Sequence, residues 1–182
     1  EKTRANHSSL HLLQAALREI VGDHIAQAGS FNGPDYGRFD FTHYEKLTEE
    51  QLHQIENRVN EMIAANAIIT TEVMAIEDAK KSGAIALFDE KYGDTVRVVS
   101  MGKYSKEFCG GTHANNTGDL GVFKIVSEES IGSGVRRITS LTKLEAYKAF
   151  KEEEDYLLAC SRILKNNNPM ILQEKLNQLL EE

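Results

Sequence analysis

Cysteine is scarce in this sequence. Its 182 residues include only two cysteines, Cys109 and Cys160. Two cysteines cannot form the dense disulfide framework that stabilises small secreted domains, so that class of protein is excluded. We therefore expect a reducing, cytoplasmic compartment.

Proline and long apolar runs are scarce as well. Two prolines, 27% charged residues and 7% aromatic residues do not fit a collagen-like, low-complexity or disordered chain. The longest apolar runs, such as 84–88, are far shorter than the roughly 18 residues that indicate a membrane span. The N-terminal residues also lack the apolar core of a signal peptide. The composition therefore predicts no membrane partner.

Basic residues are outnumbered by acidic ones. Lysine and arginine total 21 against 28 aspartates and glutamates, which gives a net charge of -7. This balance excludes a uniformly basic surface that binds nucleic acid non-specifically, so any contact with nucleic acid must be local. The chain starts at Glu1 rather than methionine, and a helical pattern begins almost at once. We expect a piece of a longer polypeptide.

The spacing of apolar residues predicts alternating helices and strands. Helical spacing covers 6–21, and a capping box at 48–51 begins a second helix. Alternating or β-branched runs predict strands at 38–41, 68–76, 95–101, 122–126 and 135–141, with the last two paired as a hairpin. Further helices are predicted at 77–81, 144–164 and 170–180. The pattern predicts an α+β domain of mixed sheet and helices at 1–142, followed by a helical extension at 143–182.

Two pairs of metal-binding side chains have the same spacing. His7 and His11 are four residues apart, so on a helix their side chains lie about 40° apart on one face. Cys109 and His113 are also four apart, with two glycines between them that allow a tight turn. Nitrogen and sulfur donors of this kind are the ligands that zinc prefers. The sequence predicts one zinc ion bound by these four side chains.

Other polar residues permit competing interpretations. Cys109 and His113 can also be a nucleophile and its base, although catalytic cysteine and histidine usually come from distant parts of a chain. Arg38 and Asp40 are expected to form an ion pair that braces their strand. Arg136 and Arg137 are candidates for binding phosphate. The remaining residues for which no site is predicted are His24, His43, His53 and Cys160.

Five motifs follow one another along the chain: NHSSLHLL at 6–13, RFDF at 38–41, GAIALFDEKY at 83–92, CGGTH at 109–113 and GVRRI at 134–138. In kind and order they resemble the editing domain of alanyl-tRNA synthetase. The editing domain of threonyl-tRNA synthetase is similar in its histidine pair, but CGGTH followed by TGDLG at 117–121 resembles the alanyl type. The similarity covers about residues 3–141, and nothing in the chain resembles the aminoacylation core.

The resemblance implies hydrolysis of mischarged Ser-tRNA(Ala) and Gly-tRNA(Ala). A pocket built for alanine cannot exclude glycine by size and rejects an added hydroxyl poorly, so a second site must remove the errors. By the same resemblance Gln27 faces the aminoacyl group, and Cys109 and Gln27 are the expected catalytic residues. Arg136 and Arg137 are expected to contact the tRNA near its 3′ end. The partners are then tRNA(Ala) and the rest of a synthetase chain that carries the ATP-dependent ligase.

Three questions stay open from the sequence. Zinc can polarise the ester or activate water, which needs an open coordination position, or it can shape the pocket with all four ligands bound. We favour a site-shaping ion whose fourth ligand can yield to water or substrate. The chain can belong to a synthetase or be a free-standing deacylase, and a noncatalytic, zinc-stabilised tRNA-binding module is the alternative from another class.

Overall fold

The structure, a computed structural model, describes residues 1–86 and 92–181. Residues 87–91, part of the third motif, lie outside the described residues. The chain divides into two compact units, Glu1–Ala146 and Tyr147–Glu182. The sequence places the domain boundary at residue 142, and that division stays a prediction.

Two long helices form one side of the first unit. Helix α1, Lys2–Ile20, begins four residues before the predicted start, because its polar first turn carries no apolar periodicity. Helix α2, Glu49–Ala64, begins at the predicted capping box: Thr48 Oγ1 accepts from the Gln51 backbone, and the Gln51 side chain accepts from the Thr48 backbone. The second helix is therefore confirmed at its predicted start.

A four-stranded antiparallel sheet packs against these helices. Its strands are β1 (Gln27–Asn32), β2 (Gly37–Thr42), β6 (Phe123–Gly132) and β7 (Val135–Thr142), in the order β1-β2-β7-β6. The predicted hairpin of the last two strands is confirmed. Strand β6 extends past the predicted 122–126, because its polar second half pairs with β7 without an apolar run of its own.

A separate three-stranded antiparallel sheet lies in the middle of the chain. It contains β3 (Ile69–Ala75), β4 (Thr95–Met101) and β5 (Ser105–Phe108), and helix α3 (Ile76–Lys81) follows β3. The α+β class is confirmed. The expectation of one mixed sheet is corrected to two antiparallel sheets, because apolar patterns locate strands but not their directions or partners.

The main core brings the first helix onto the four-stranded sheet. Leu13 and Leu17 of α1 are fully buried with Phe39, Phe41 and Ile138 of the sheet. A second, smaller cluster lies under the three-stranded sheet, and its members are Ala79, Val96, Val98 and Phe108. Strand β4 supplies side chains to both clusters. The sheet that carries Cys109 at its edge is thereby fixed beside helix α1.

The second unit contains the late helices. Helix α4 spans Lys143–Ile163 and starts within the first unit; a short 3₁₀ turn at Pro169–Ile171 then leads into α5, Leu172–Glu181. Apolar residues such as Ile163 and Leu180 are largely exposed. Among the described helices, none combines the length and apolar character that crossing a membrane requires.

Candidate metal centre

The four predicted ligands lie together in the first unit. One donor atom from each of His7, His11, Cys109 and His113 lies within 4.8 Å of the others. Cys109 Sγ is 3.4 Å from His7 Nε2 and 3.3 Å from His113 Nε2. Donors around a tetrahedral zinc ion are separated by about 3.3–3.6 Å, which follows from bond lengths of roughly 2.0–2.3 Å. The donor set and its spacing therefore fit zinc.

Each imidazole is held by a contact on the side away from the cluster. His7 Nδ1 lies 3.1 Å from the Thr112 carbonyl oxygen, and His113 Nδ1 lies 3.1 Å from Ser8 Oγ. His11 Nδ1 lies 2.5 Å from Glu107 Oε2. Such partners orient a histidine ring so that its other nitrogen faces the metal. The three rings are thus arranged as metal-binding histidines are.

The charges of the cluster favour a thiolate. Burial raises the pKa of Cys109, but hydrogen bonds from His11, His113 and His7 outweigh burial and lower that pKa to about 3. Burial lowers the pKa of His11, yet Glu107 and Cys109 together raise it to about 10. For His113, burial has the largest influence and lowers its pKa. The Cys109 thiolate and a neutral His113 imidazole are the forms that a metal ion requires of its ligands, whereas His11 must release its proton when a metal binds.

The loop after β5 closes around helix α1. A side chain at Gly111 would put its Cβ 2.2 Å from His7 Cε1, so only glycine permits this approach of loop and helix. Arg97 donates hydrogen bonds to the carbonyl oxygens of Cys109 and Gly111. Asp119 accepts from the backbone at Asn115 and Asn116 and fixes the end of the loop. The local sequence therefore builds a rigid turn that presents Cys109 to the histidines.

A cavity of about 420 Å³ opens beside the cluster. Its wall includes the ligands His7, His11 and Cys109, and Gln27 at the start of β1 also lines it. Gln27 is half-buried, and its amide donates to Ser30 Oγ at 3.2 Å. The structure therefore brings Gln27 to the same cavity as the metal ligands, as the resemblance implies.

The predicted arginine sites carry internal ion pairs. Arg136 is nearly buried and pairs with Glu128, whereas Arg137 forms a two-pronged pair with Asp40 at 2.7 and 2.8 Å. The expected Arg38–Asp40 pair is wrong: the Arg38 guanidinium lies over the Phe31 ring instead. Asp40 and Arg137 are opposite one another in neighbouring strands, a pairing that sequence spacing cannot reveal. Phosphate binding by Arg136 and Arg137 stays a prediction.

The structure adds residues that the sequence analysis passes over. Glu107 lies two positions before Cys109, which directly follows β5, and the alternation of side chains along an extended segment predicts that the two share a face. Gln14 follows His11 by three residues on α1 and lines the cavity, a helical spacing that was also visible. His24 Nε2 lies 2.9 Å from His43 Nδ1, although no partner is predicted for either. That contact joins residues 19 apart, beyond any local pattern.

The chain is similar in sequence to known tRNA synthetases. The sequence profile of the threonyl and alanyl tRNA synthetase second additional domain matches residues 96–139, which include all but the first residue of β4, the whole of β5 and the Cys109–His113 pair. Alanine–tRNA ligase 1 of Lachnoclostridium phytofermentans is 51% identical over 177 residues, and alanine–tRNA ligase of Legionella pneumophila is 52% identical over 177 residues. The resemblance to the alanyl-tRNA synthetase editing domain is confirmed.

The alanyl-tRNA synthetases extend well beyond the matched segment. Each of these two matches covers 97% of this chain but 20% of the relative, and a third, from Anaeromyxobacter, is 55% identical over 89% of the chain and 18% of the relative. The chain thus spans about a fifth of the length of the curated relatives it matches. Ligase activity belongs to those proteins.

Proposed function

We propose that this chain hydrolyses the ester of mischarged Ser-tRNA(Ala) and Gly-tRNA(Ala), as the editing segment of an alanyl-tRNA synthetase. The observation that carries the proposal is the cluster of three imidazoles and one thiolate at the wall of an open cavity. Similarity to alanine–tRNA ligases over nearly the whole chain supplies the substrate class. The reaction adds water to the ester and releases the amino acid and a tRNA with a free 3′ end.

The four side chains His7, His11, Cys109 and His113 would hold the zinc ion. Bound zinc supplies Lewis acidity and positive charge next to the ester. Glu107, Ser8 and the Thr112 carbonyl orient the three imidazoles. The Cys109 sulfur forms part of the cavity wall that the aminoacyl group contacts. We propose that the Gln27 amide binds the ester or the seryl hydroxyl.

The competing nucleophile mechanism is less well supported. A thiol peptidase uses one histidine as base, whereas Cys109 Sγ here is close to the imidazoles of both His7 and His113 and His11 completes the cluster. Several imidazoles around one sulfur fit a metal site better than a proton relay.

Deacylation kinetics with and without chelator test the proposal. Purified protein is mixed with Ser-tRNA(Ala), and loss of the ester is followed before and after zinc is removed by chelation. We expect hydrolysis by the zinc-loaded protein, loss of activity with the metal, and recovery when zinc is restored. A chain that binds tRNA but never accelerates ester loss is a noncatalytic tRNA-binding module, and the proposal is then wrong.

A further inference from the structure

One buried polar side chain in the cavity has no hydrogen-bond partner among the described residues. Gln14 is 3% exposed, and its Oε1 makes no hydrogen bond to any of the described residues. Three of its neighbours on α1, Leu10, Leu13 and Leu17, are buried and apolar. A leucine or methionine would fill this position without leaving a buried polar atom unpaired. A buried amide without a partner therefore points to a ligand that binds it.

The position of Gln14 on the helix connects it to the metal centre. His7, His11, Gln14 and Arg18 follow one another at steps of four, three and four, which places them on one face of α1, and all line the cavity. The histidines face the cluster, and Arg18 is fixed by hydrogen bonds to the carbonyl oxygens of Asp23 and Ile25. Gln14 alone of the four is left without a hydrogen bond among the described residues.

The cavity has a buried side and an open side. Leu10, Gln14 and Ile25 are buried, whereas Ser30 and Gly110 are exposed. The nucleoside end of an aminoacyl-tRNA is attached to a macromolecule and must leave through the open side. The free amino acid side chain is the end that can reach the buried side. About 4.5 Å of helix axis separates His11 from Gln14, so an ester held at the cluster places the side chain within reach of the amide.

We infer that the Gln14 amide binds the seryl hydroxyl and favours serine over glycine in the editing cavity. This inference rests on the proposed function. A hydroxyl both donates and accepts, so it can satisfy the oxygen or the amino group of the amide. Glycine has no such group. Gln27, which is half-buried and already bonded to Ser30, is then available to the ester.

Substitution by an apolar residue of similar length tests the inference. Single-turnover hydrolysis of Ser-tRNA(Ala) and Gly-tRNA(Ala) is compared for the wild-type chain, Gln14→Met and Gln14→Leu. Gln54→Met is the matched control, because Gln54 is an exposed helical glutamine on α2 that bonds to Glu50. We expect the Ser-to-Gly rate ratio to fall about 5- to 100-fold in both Gln14 variants and to stay unchanged in the control. The thermal midpoint should stay equal or rise, because an unpaired buried amide is removed.

The other outcomes are distinguishable. An unchanged Ser-to-Gly ratio overturns the inference and leaves the proposed function intact. Parallel loss of both rates shows that Gln14 supports the fold or contacts a group common to both substrates, and also overturns the inference. Failure of the wild-type chain to hydrolyse either ester overturns the proposed function itself.

Discussion

At the scale of single residues, the candidate metal centre depends on contacts behind the ligands as much as on the ligands. His11 is oriented by Glu107, and Glu107 is itself held by Ser105 Oγ at 3.0 Å. Partners of this kind contribute roughly 10- to 100-fold to metal affinity in proteins. The spacing of the ligands alone would not fix the tautomer or the direction of their rings.

The two cysteines offer a matched pair of substitutions. Cys109→Ala removes a donor from the cluster, so zinc affinity should fall by at least about 10- to 100-fold, with deacylation reduced in parallel. Cys160→Ala changes an exposed cysteine of the second unit and should leave both unchanged. Elemental analysis of protein purified without added metal, with competition against a chelator, measures the difference. Equal zinc contents in the two variants would remove Cys109 from the metal site.

The histidine pair outside the metal centre predicts a pH effect. Burial lowers the pKa of His43, and the neighbouring His24 lowers it further. The folded protein therefore binds a proton at His43 less readily than the unfolded chain does. This difference destabilises the folded state as the pH falls through the unfolded value of about 6.5. His24→Ala should raise the titration midpoint of His43 followed by NMR, and an unchanged midpoint would show that the pair has no influence.

At the scale of elements, the N-cap of helix α2 tests how much a single capping hydrogen bond stabilises the fold. Thr48→Ala removes the hydroxyl that accepts from the Gln51 backbone, and should lower the free energy of unfolding by about 1 kcal/mol. Thr48→Ser keeps a hydroxyl and should cost much less. Urea unfolding of the three chains measures the effect. Equal losses for alanine and serine would mean that the methyl group, not the cap, matters.

Local patterns predicted the elements and the β6–β7 hairpin, but not the other strand pairings or the long-range contacts. The start of α2, strand β4 at Thr95–Met101 and the two ligand pairs follow from spacing within a few residues. The Asp40–Arg137 and His11–Glu107 contacts join residues about a hundred positions apart, so they depend on strand order and helix docking. The sequence also gives no sign that Gln14 Oε1 is buried without a hydrogen-bond partner among the described residues, because that depends on how the cavity packs.

At the scale of the whole molecule, the division of the chain predicts what can be removed. We expect residues 1–146 to unfold cooperatively without the late helices, because both apolar clusters lie within them. Truncation at residue 142 also removes Ala146, which is fully buried, and the Lys143–Glu1 ion pair. The shorter chain should therefore have the lower thermal midpoint. Loss of cooperative unfolding in the 1–146 chain would make the late helices part of the folding unit.

We expect the molecule as a whole to hydrolyse the seryl ester and to spare the alanyl ester. One contact to the seryl hydroxyl is worth about 1–3 kcal/mol, which gives roughly fivefold to hundredfold discrimination against alanine, whose methyl leaves a buried polar group unpaired. Glycine lacks the hydroxyl too, and we expect its smaller ester to be placed more freely for attack by water. Gln14→Met should narrow the Ser-to-Ala rate ratio, whereas Gln27→Ala, which removes a contact to the ester that both substrates share, should lower the two rates together.

The most direct test measures single-turnover rates of the zinc-loaded chain on Ser-tRNA(Ala) and Ala-tRNA(Ala), each against its spontaneous hydrolysis. We expect rapid loss of the seryl ester, and loss of the alanyl ester at close to its spontaneous rate. Equal acceleration of both esters, or of neither, would contradict this expectation.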